Sequence, residues 1–511
     1  MQIKEILDAF ARLEAIQKEI ELAGSELRNV CVTLCHFVLG YDNSADEAVI
    51  EERLSRIDND LGSIADIKQK LVLCRALLRR MANTSKRRVM INVLPQEVLA
   101  YIFELAVFSW PDTEKTTLIH PSCTIPSVCA SWRQLAINSP SLWVNIDFYE
   151  GYGYEKLAKQ GLLWFKRACN KPLNVTFHSE FRPCHPELES QISELVTRAK
   201  SFTFNPEASH FYLTDIFDLY DVSGRSDILE TIAIRGVRGM SSDCHWWKCI
   251  PPCLTTLELV DLSAGVAPNL NELVALLPRC PSLHTLVLSK TGIDVSRKIH
   301  YSEIALPNLR YLKIVVEEPS VSEHLFAAIV PGSHALDLWF NLPPIDELHN
   351  CHLICRFLER ARVASLCLED LMPQSGAMIL AHFLDHLPGV QSLRLNLQDD
   401  RTGSCLDALT VSVHLEEYRA RCPTIRTLIL DHGAFGKLGQ EQVKRIVNAH
   451  NLKTLALPHS YFRNVDQTLG GGKDSTGNSE DSEKKQEAVG IYTWLETRVG
   501  NVEWCDLTHS A

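Results

Sequence analysis

No apolar run in the 511-residue chain reaches the roughly 18 to 20 residues that a membrane-spanning helix needs. The longest, Val30 to Leu39, is short and is interrupted by His36. An excess of positive charge is also missing: 51 Lys and Arg face 63 Asp and Glu, a net charge of −12. A chain this acidic has no overall field to draw it onto nucleic acid or an anionic bilayer, so neither partner is expected. The opening MQIKEILDAF carries Glu5 and Asp8 where a secretion signal needs an unbroken apolar core, and none is expected. The 17 cysteines are odd in number and lack the tight spacing of a disulfide framework. They read as reduced thiols of a cytoplasmic or nuclear protein. Lys86-Arg87-Arg88 is too short a basic cluster to choose between those compartments.

Catalytic signatures are equally scarce. Gly470-Gly-Gly-Lys473 is followed by Asp474, has the wrong glycine spacing and follows no strand, so it is a linker and not a phosphate loop. Gly151-Tyr-Gly153 lacks the third glycine of a dinucleotide site. Cys244-His-Trp-Trp-Lys-Cys249 with Cys253 offers four soft ligands in ten residues but no Cys-Xaa-Xaa-Cys pair, and reads as a Trp-rich loop. Cys351, His352 and Cys355 fall in a helical stretch with Leu353, Phe357 and Leu358, where cysteine serves as a small buried hydrophobe. No enzyme activity, cofactor or metal is therefore expected.

What the chain does contain is ordinary for a folded protein, 46% hydrophobic and 22% charged residues. Residues 1–82 carry two heptad-like stripes. Ile6, Leu13, Ile20 and Leu27 form the first, with Ile3 and Phe10 in the alternate seam position. Ile50, Leu54, Ile57, Leu61, Ile64, Leu71 and Leu78 form the second. Gly40 to Ser44 breaks them, and the two arms, roughly 58 and 54 Å at 1.5 Å per residue, are matched in length as in an antiparallel coiled-coil hairpin. Charges balance at 14 basic against 14 acidic over residues 1–90, so the stripe is a packing seam. The seam closes either within one chain or between two.

Residues 91–148 are the most specific stretch. Leu94 and Pro95 precede Val98, Leu99, Ile102, Phe103 and Leu105, a helix apolar around most of its circumference and so buried on two sides. A polar stretch, Ser109 to Thr124, separates it from a second helical piece, Ile125 to Ala136, and from Ser139-Pro140-Ser-Leu-Trp143. With Leu94-Pro95, the apolar helix, Val128-Cys129-Ala-Ser-Trp132 and Ser139-Pro140-Ser-Leu-Trp143, the segment resembles an F-box, as in the large fungal F-box sets. It departs from that family at the insert of residues 109–124, where a short middle helix is usual. The resemblance implies that Leu94, Pro95, Val98, Leu99, Ile102, Phe103 and Trp132 dock onto a Skp-type adaptor of a cullin-based ubiquitin ligase.

From about 165 to the end, an apolar triplet recurs as Leu229-Ile232-Ile234, Leu254-Leu257-Leu259, Leu283-Leu286-Leu288, Leu309-Leu312-Ile314, Ala335-Leu338-Phe340, Val363-Leu366-Leu368, Val390-Leu393-Leu395, Ile425-Leu428-Leu430 and Leu452-Leu455-Leu457. Helical stretches such as Asn271 to Leu277 and Gln442 to Val447 lie between them. A strand and a helix at this period resemble the helix-bearing leucine-rich repeats, whose units stack into an irregular solenoid with a terminal cap, here Ile491 to Leu507. Where that family carries a turn Asn, this chain has Leu262, Thr291, Glu317, Gln398 and Gly433. Residues 466–488, rich in Gly, Ser and charge, read as a linker. The solvent-facing strand positions are Ala233, Glu258, Val287, Lys313, Trp339, Cys367, Arg394, Ile429 and Ala456. Glu258, Lys313, Trp339, Arg394 and Ile429 are the candidate contacts for a target protein.

The fold class expected is thus α plus α/β: a helical hairpin, a small helical domain, and a strand–helix array. The expected function is substrate recognition within a ubiquitin ligase. The alternatives are an adaptor-binding protein without a ligase role, a repeat scaffold dimerised through its coiled coil, and an enzyme with a site around Cys244 to Cys253.

Overall fold

Short runs that alternate apolar and polar residues recur through the C-terminal four-fifths of the chain, and those among the described residues form strands. Leu173-Asn-Val-Thr-Phe177 buries every other residue, as a half-buried strand must. The computed structural model describes residues 47–84, 90–109, 121–148, 154–178, 186–205, 210–222, 227–237, 245–295, 303–341, 351–369, 376–397, 404–414, 417–431, 437–458 and most of 494–505, with isolated positions between 12 and 33. The first arm and turn of the expected hairpin, most of the 109–124 insert and the 466–488 linker lie outside them. The chain divides into two compact units, residues 1–95 and 96–511.

The longest described element of the first unit is a helix of 38 residues, Glu47–Thr84, about 57 Å long. Its surface is laced by the i,i+4 pairs Arg56–Glu52 and Lys70–Asp66, each 2.6 Å. Along the expected seam Ile57, Leu61, Leu71 and Leu78 are exposed. A 3-10 turn, Met90–Val93, closes the unit, and Leu94 donates its backbone N–H to the Ile91 carbonyl.

The second unit is a mixed helix and strand structure built on one long parallel sheet. Its thirteen strands are Asn145–Phe148, Leu173–Phe177, Ala199–Phe204, Thr231–Arg235, Thr256–Val260, Thr285–Ser289, Tyr311–Val315, Leu336–Asn341, Val363–Glu369, Ser392–Asn396, Thr427–Asp431, Thr454–Pro458 and Asn501–Cys505. They stand in chain order, each beside the strand before it. All nine apolar triplets lie on or immediately before these strands, and their apolar positions face the helices that connect them. Residues such as Leu257, Leu286, Leu312 and Leu366 are fully buried there. The sheet also extends further than the triplets do. It begins at Asn145, inside the 91–148 segment, and its first three strands use Phe and Val in place of the Leu frame. Phe148, Phe177 and Phe204 stack in succession, 5.5 and 5.1 Å apart.

The strand ends replace the missing Asn by two means. Thr291, fully buried, donates its hydroxyl toward the carbonyls of Leu259 and Ser289. Asn341 grips the preceding strand end, donating to the Val316 carbonyl and accepting from the Val316 N–H. Three consecutive strands are each followed at once by a left-handed residue: Gly236 (φ 60°), Asp261 (φ 52°) and Lys290 (φ 49°). That conformation turns each backbone N–H onto the next strand's carbonyl, Val260, Ser289 and Val315 respectively. Gln398 and Gly433 lie outside the described residues.

Between residues 96 and 148 the chain forms the helix Gln96–Phe108 and then two helices, Pro121–Val128 and Ala130–Ile137, in place of the single helical piece expected over Ile125 to Ala136. The break is at Cys129, whose backbone is extended (φ −157°) and whose Sγ accepts the Trp132 N–H at 3.4 Å, so it caps the second helix.

Candidate functional site

Two surfaces follow from this arrangement. The first lies on the helix Gln96–Phe108. Leu99, Phe103 and Val107, spaced by four, point into the unit's core. Phe103 is 2% exposed and meets the Trp132 ring at 4.7 Å, and Trp132 is itself half-buried. Behind them, Trp143 is fully buried, donates its indole N–H to the Ala136 carbonyl at 2.7 Å, and carries Arg167 over its ring at 4.4 Å. Ser141 donates to the Glu104 carboxylate, tying this helix to the Pro140–Trp143 turn.

The opposite side of the same helix presents Val98 (43% exposed), Tyr101, Ile102 (39%), Leu105 and Phe108 to solvent. Five large apolar side chains on one face is far more than scattered surface residues explain. Of the seven residues expected to meet an adaptor, Val98 and Ile102 are thus on an open face of the second unit. Leu94 and Pro95 are exposed in the first unit. Leu99 and Phe103 are buried, and their side chains fill the core beneath. Trp132 supports Phe103. Tyr101, Leu105 and Phe108 were missed, although the helical spacing from Val98 to Ile102 and Leu105 places them on this face.

The second surface is the sheet face turned away from the connecting helices. Strand register sets Glu258, Val287, Lys313, Trp339, Cys367, Arg394 and Ile429 side by side in one row, each the direct partner of the next. At about 4.8 Å per strand the row from Glu258 to Ile429 is roughly 29 Å long. All five residues proposed for target contact are therefore brought together. Of the nine positions expected to face solvent, Ala233, Val287, Cys367 and Ala456 are buried, because short side chains sit below the longer ones beside them.

Trp339 is the centre of the row. The Lys313 ammonium lies 3.9 Å from its ring centroid and the Arg394 guanidinium 5.6 Å. Each cation has an acid two residues beyond the row on a nearby strand. Lys313 Nζ lies 3.6 Å from Glu369, and Arg394 grips both carboxylate oxygens of Asp431. Arg235 pairs with Glu258 at 2.7 Å at the other end. Glu369 and Asp431 were not singled out from sequence, although they fall two residues beyond the row on their strands, on the same face. The Trp339 Nε1–H, at the middle of the row, is buried and has no hydrogen-bond partner among the described residues. Burial, assisted by Cys367 and by the acids Glu258, Asp337 and Glu369, pushes the neighbouring Tyr311 hydroxyl up to about 12. Burial likewise raises the Asp337 carboxyl. The face is held by paired charges about an aromatic ring, with no excess of one sign.

The Trp-rich loop forms the 3-10 turn Trp246–Cys249. Trp246 donates to the Val266 carbonyl at 2.9 Å, and Cys253 donates to the Leu229 carbonyl. Cys244 lies outside the described residues. Among the described residues no helix is long and apolar enough to cross a membrane. No protein-family model matches this chain, and no curated protein matches it.

Proposed function

We propose that this chain is the substrate-recognition subunit of an SCF-type ubiquitin ligase: an F-box-like helical segment that docks a Skp-type adaptor, followed by a leucine-rich-repeat-like solenoid that holds a target protein. The observation that carries the reading is the two-sided helix Gln96–Phe108. Its core side is filled by Leu99, Phe103 and Val107, and its other side leaves Val98, Tyr101, Ile102 and Leu105 exposed among the described residues. A partner surface of about 800 Å² with a few apolar anchors reaches useful affinity without charge. The Lys313–Trp339–Arg394 group supplies, on the sheet face, the aromatic and Arg anchors typical of protein interfaces. The chemistry proposed for the chain itself is proximity alone, a raised effective concentration of target lysines near the transferring enzyme.

The test is capture of a Skp-type adaptor and cullin by the full chain, beside Val98→Arg and a Leu94→Ala/Pro95→Ala double variant. The reading expects capture by the parent chain and its loss in Val98→Arg. A folded parent chain that captures neither protein refutes it.

A further inference from the structure

The helices Cys351–Arg360 and Gly376–Asp385 are neighbours in sequence, one behind each of two consecutive connections of the sheet. Each carries a pair of potential metal ligands at i and i+4, the spacing that puts two side chains on one helical face. The first pair is Cys355 and Glu359. The second is His382 and His386, the latter in the turn just beyond the helix, where its N–H is held by the Phe383 carbonyl at 3.0 Å. The two pairs face each other. One donor atom each from Cys355, His382 and His386 lies within 4.8 Å of the other two. The two imidazoles meet edge to face at 5.0 Å. Glu359 joins them through His386, its Oε1 2.9 Å from Nδ1.

We infer that Cys355, His382 and His386 form a zinc-binding site, with Glu359 as fourth ligand or as the carboxylate that orients His386. The inference stands independently of the ligase reading. The donor set argues for zinc in particular: one thiolate with two imidazoles is a borderline-soft combination that hard cations do not favour. Zinc bonds of roughly 2.0 to 2.3 Å in a tetrahedron place donors about 3.3 to 3.8 Å apart, so the cluster closes by about an ångström of side-chain rotation. The surroundings are built for that. Cys355 is buried, its helix anchored by Ile354, Phe357 and Leu358; the facing helix is anchored by Ile379, Leu380, Phe383 and Leu384. His382 is exposed and His386 half-buried, which opens one side of the cluster to solvent as an entry path. A carboxylate hydrogen-bonded to a ligand histidine is the usual outer support of such a centre. Without metal, burial, with Cys351 and Glu359 nearby, pushes the Cys355 thiol up to about 11; zinc displaces that proton on binding. The bound ion clips two successive turns of the array together.

The experiment uses the reduced full-length chain. Zinc is titrated against a chromophoric chelator, and cobalt(II) replaces it as a spectroscopic probe. The expected result is one tight zinc per chain. The cobalt form should show a thiolate-to-metal charge-transfer band and the strong visible bands of tetrahedral geometry, and zinc should raise the melting midpoint. Cys355→Ser should remove the charge-transfer band, His382→Ala should abolish tight binding, and Glu359→Gln should weaken it roughly 10- to 100-fold. Cys351→Ser should leave the cobalt spectrum in place. Because His382 is exposed, its variant folds whatever the fate of Cys355→Ser. Tight binding unchanged in His382→Ala, or no tight zinc on the folded parent chain, overturns the proposal.

Discussion

Adjacent residues of one helix should fail in opposite ways. Phe103 and Ile102 are both apolar and both belong to the stretch that resembles an F-box, yet one is 2% exposed and the other 39%. Phe103→Ala removes a buried ring and its 4.7 Å contact with Trp132. Burial and cavity effects for such a deletion run to about 3–5 kcal/mol, of which a ring pair accounts for roughly 0.5–1.5. Ile102→Arg places charge where solvent already reaches, so its stability cost should stay within about 0.5 kcal/mol. At the proposed adaptor interface the same change buries an unpaired charge, and a loss of about 2 kcal/mol or more, some 30-fold in affinity, is expected. Urea unfolding, amide exchange over residues 96–143 and adaptor titration separate the two effects. Exchange in Phe103→Ala should accelerate across all three helices. Refutation is straightforward: a Phe103→Ala chain within 1 kcal/mol of the parent, or an Ile102→Arg chain as unstable as Phe103→Ala, would show that the two faces are wrongly assigned.

Two further outcomes follow from the packing. A Cβ on Gly332 would run into the Pro307 carbonyl oxygen, in backbone fixed by the Leu306–Pro331 pairing. Gly332→Ala should therefore cost about 1–3 kcal/mol or more by urea denaturation, whereas Gly389→Ala, which meets nothing within 4 Å, should be neutral or slightly stabilising. His450 is buried, accepted at Nε2 by the Leu409 carbonyl, and desolvation lowers its pKa. The unfolded chain then binds a proton at higher pH than the folded one, so the stability due to neutral His450 is present above about pH 6.5 and is lost as pH falls through the folded value. Urea midpoints between pH 7.5 and 5 should drop in the parent and drop less in His450→Gln; equal slopes would remove His450 as the cause.

The sheet was legible because its rule is local. An apolar residue, two variable ones, an apolar one, a variable one and another apolar one describe a half-buried strand by themselves, and all nine such triplets mark strands. The first three strands were harder to read because Phe148, Phe177 and Phe204 fill the core with rings and leave no Leu frame. The row on the sheet face was legible too, since period two fixes which residues share it. The ion-pair partners Glu369 and Asp431 were not, because pairing depends on register between strands. Which side of the Gln96–Phe108 helix is outside could not be read from a segment apolar nearly all round. The facing ligand pairs escaped for a related reason: Cys355 looks like any core thiol until the next helix brings His382 and His386 beside it.

Strict chain order in the sheet has a consequence for how the protein can change. Each strand answers only to its predecessor and its successor, so duplicating one strand–helix unit in the middle of the array would leave every other pairing intact. The row centred on Trp339 would simply grow by one rung, about 4.8 Å, at the point of insertion. A lineage of such chains can thus vary the length and chemistry of its sheet face by copying and trimming units, while the helices of residues 96–143 remain untouched at the far end.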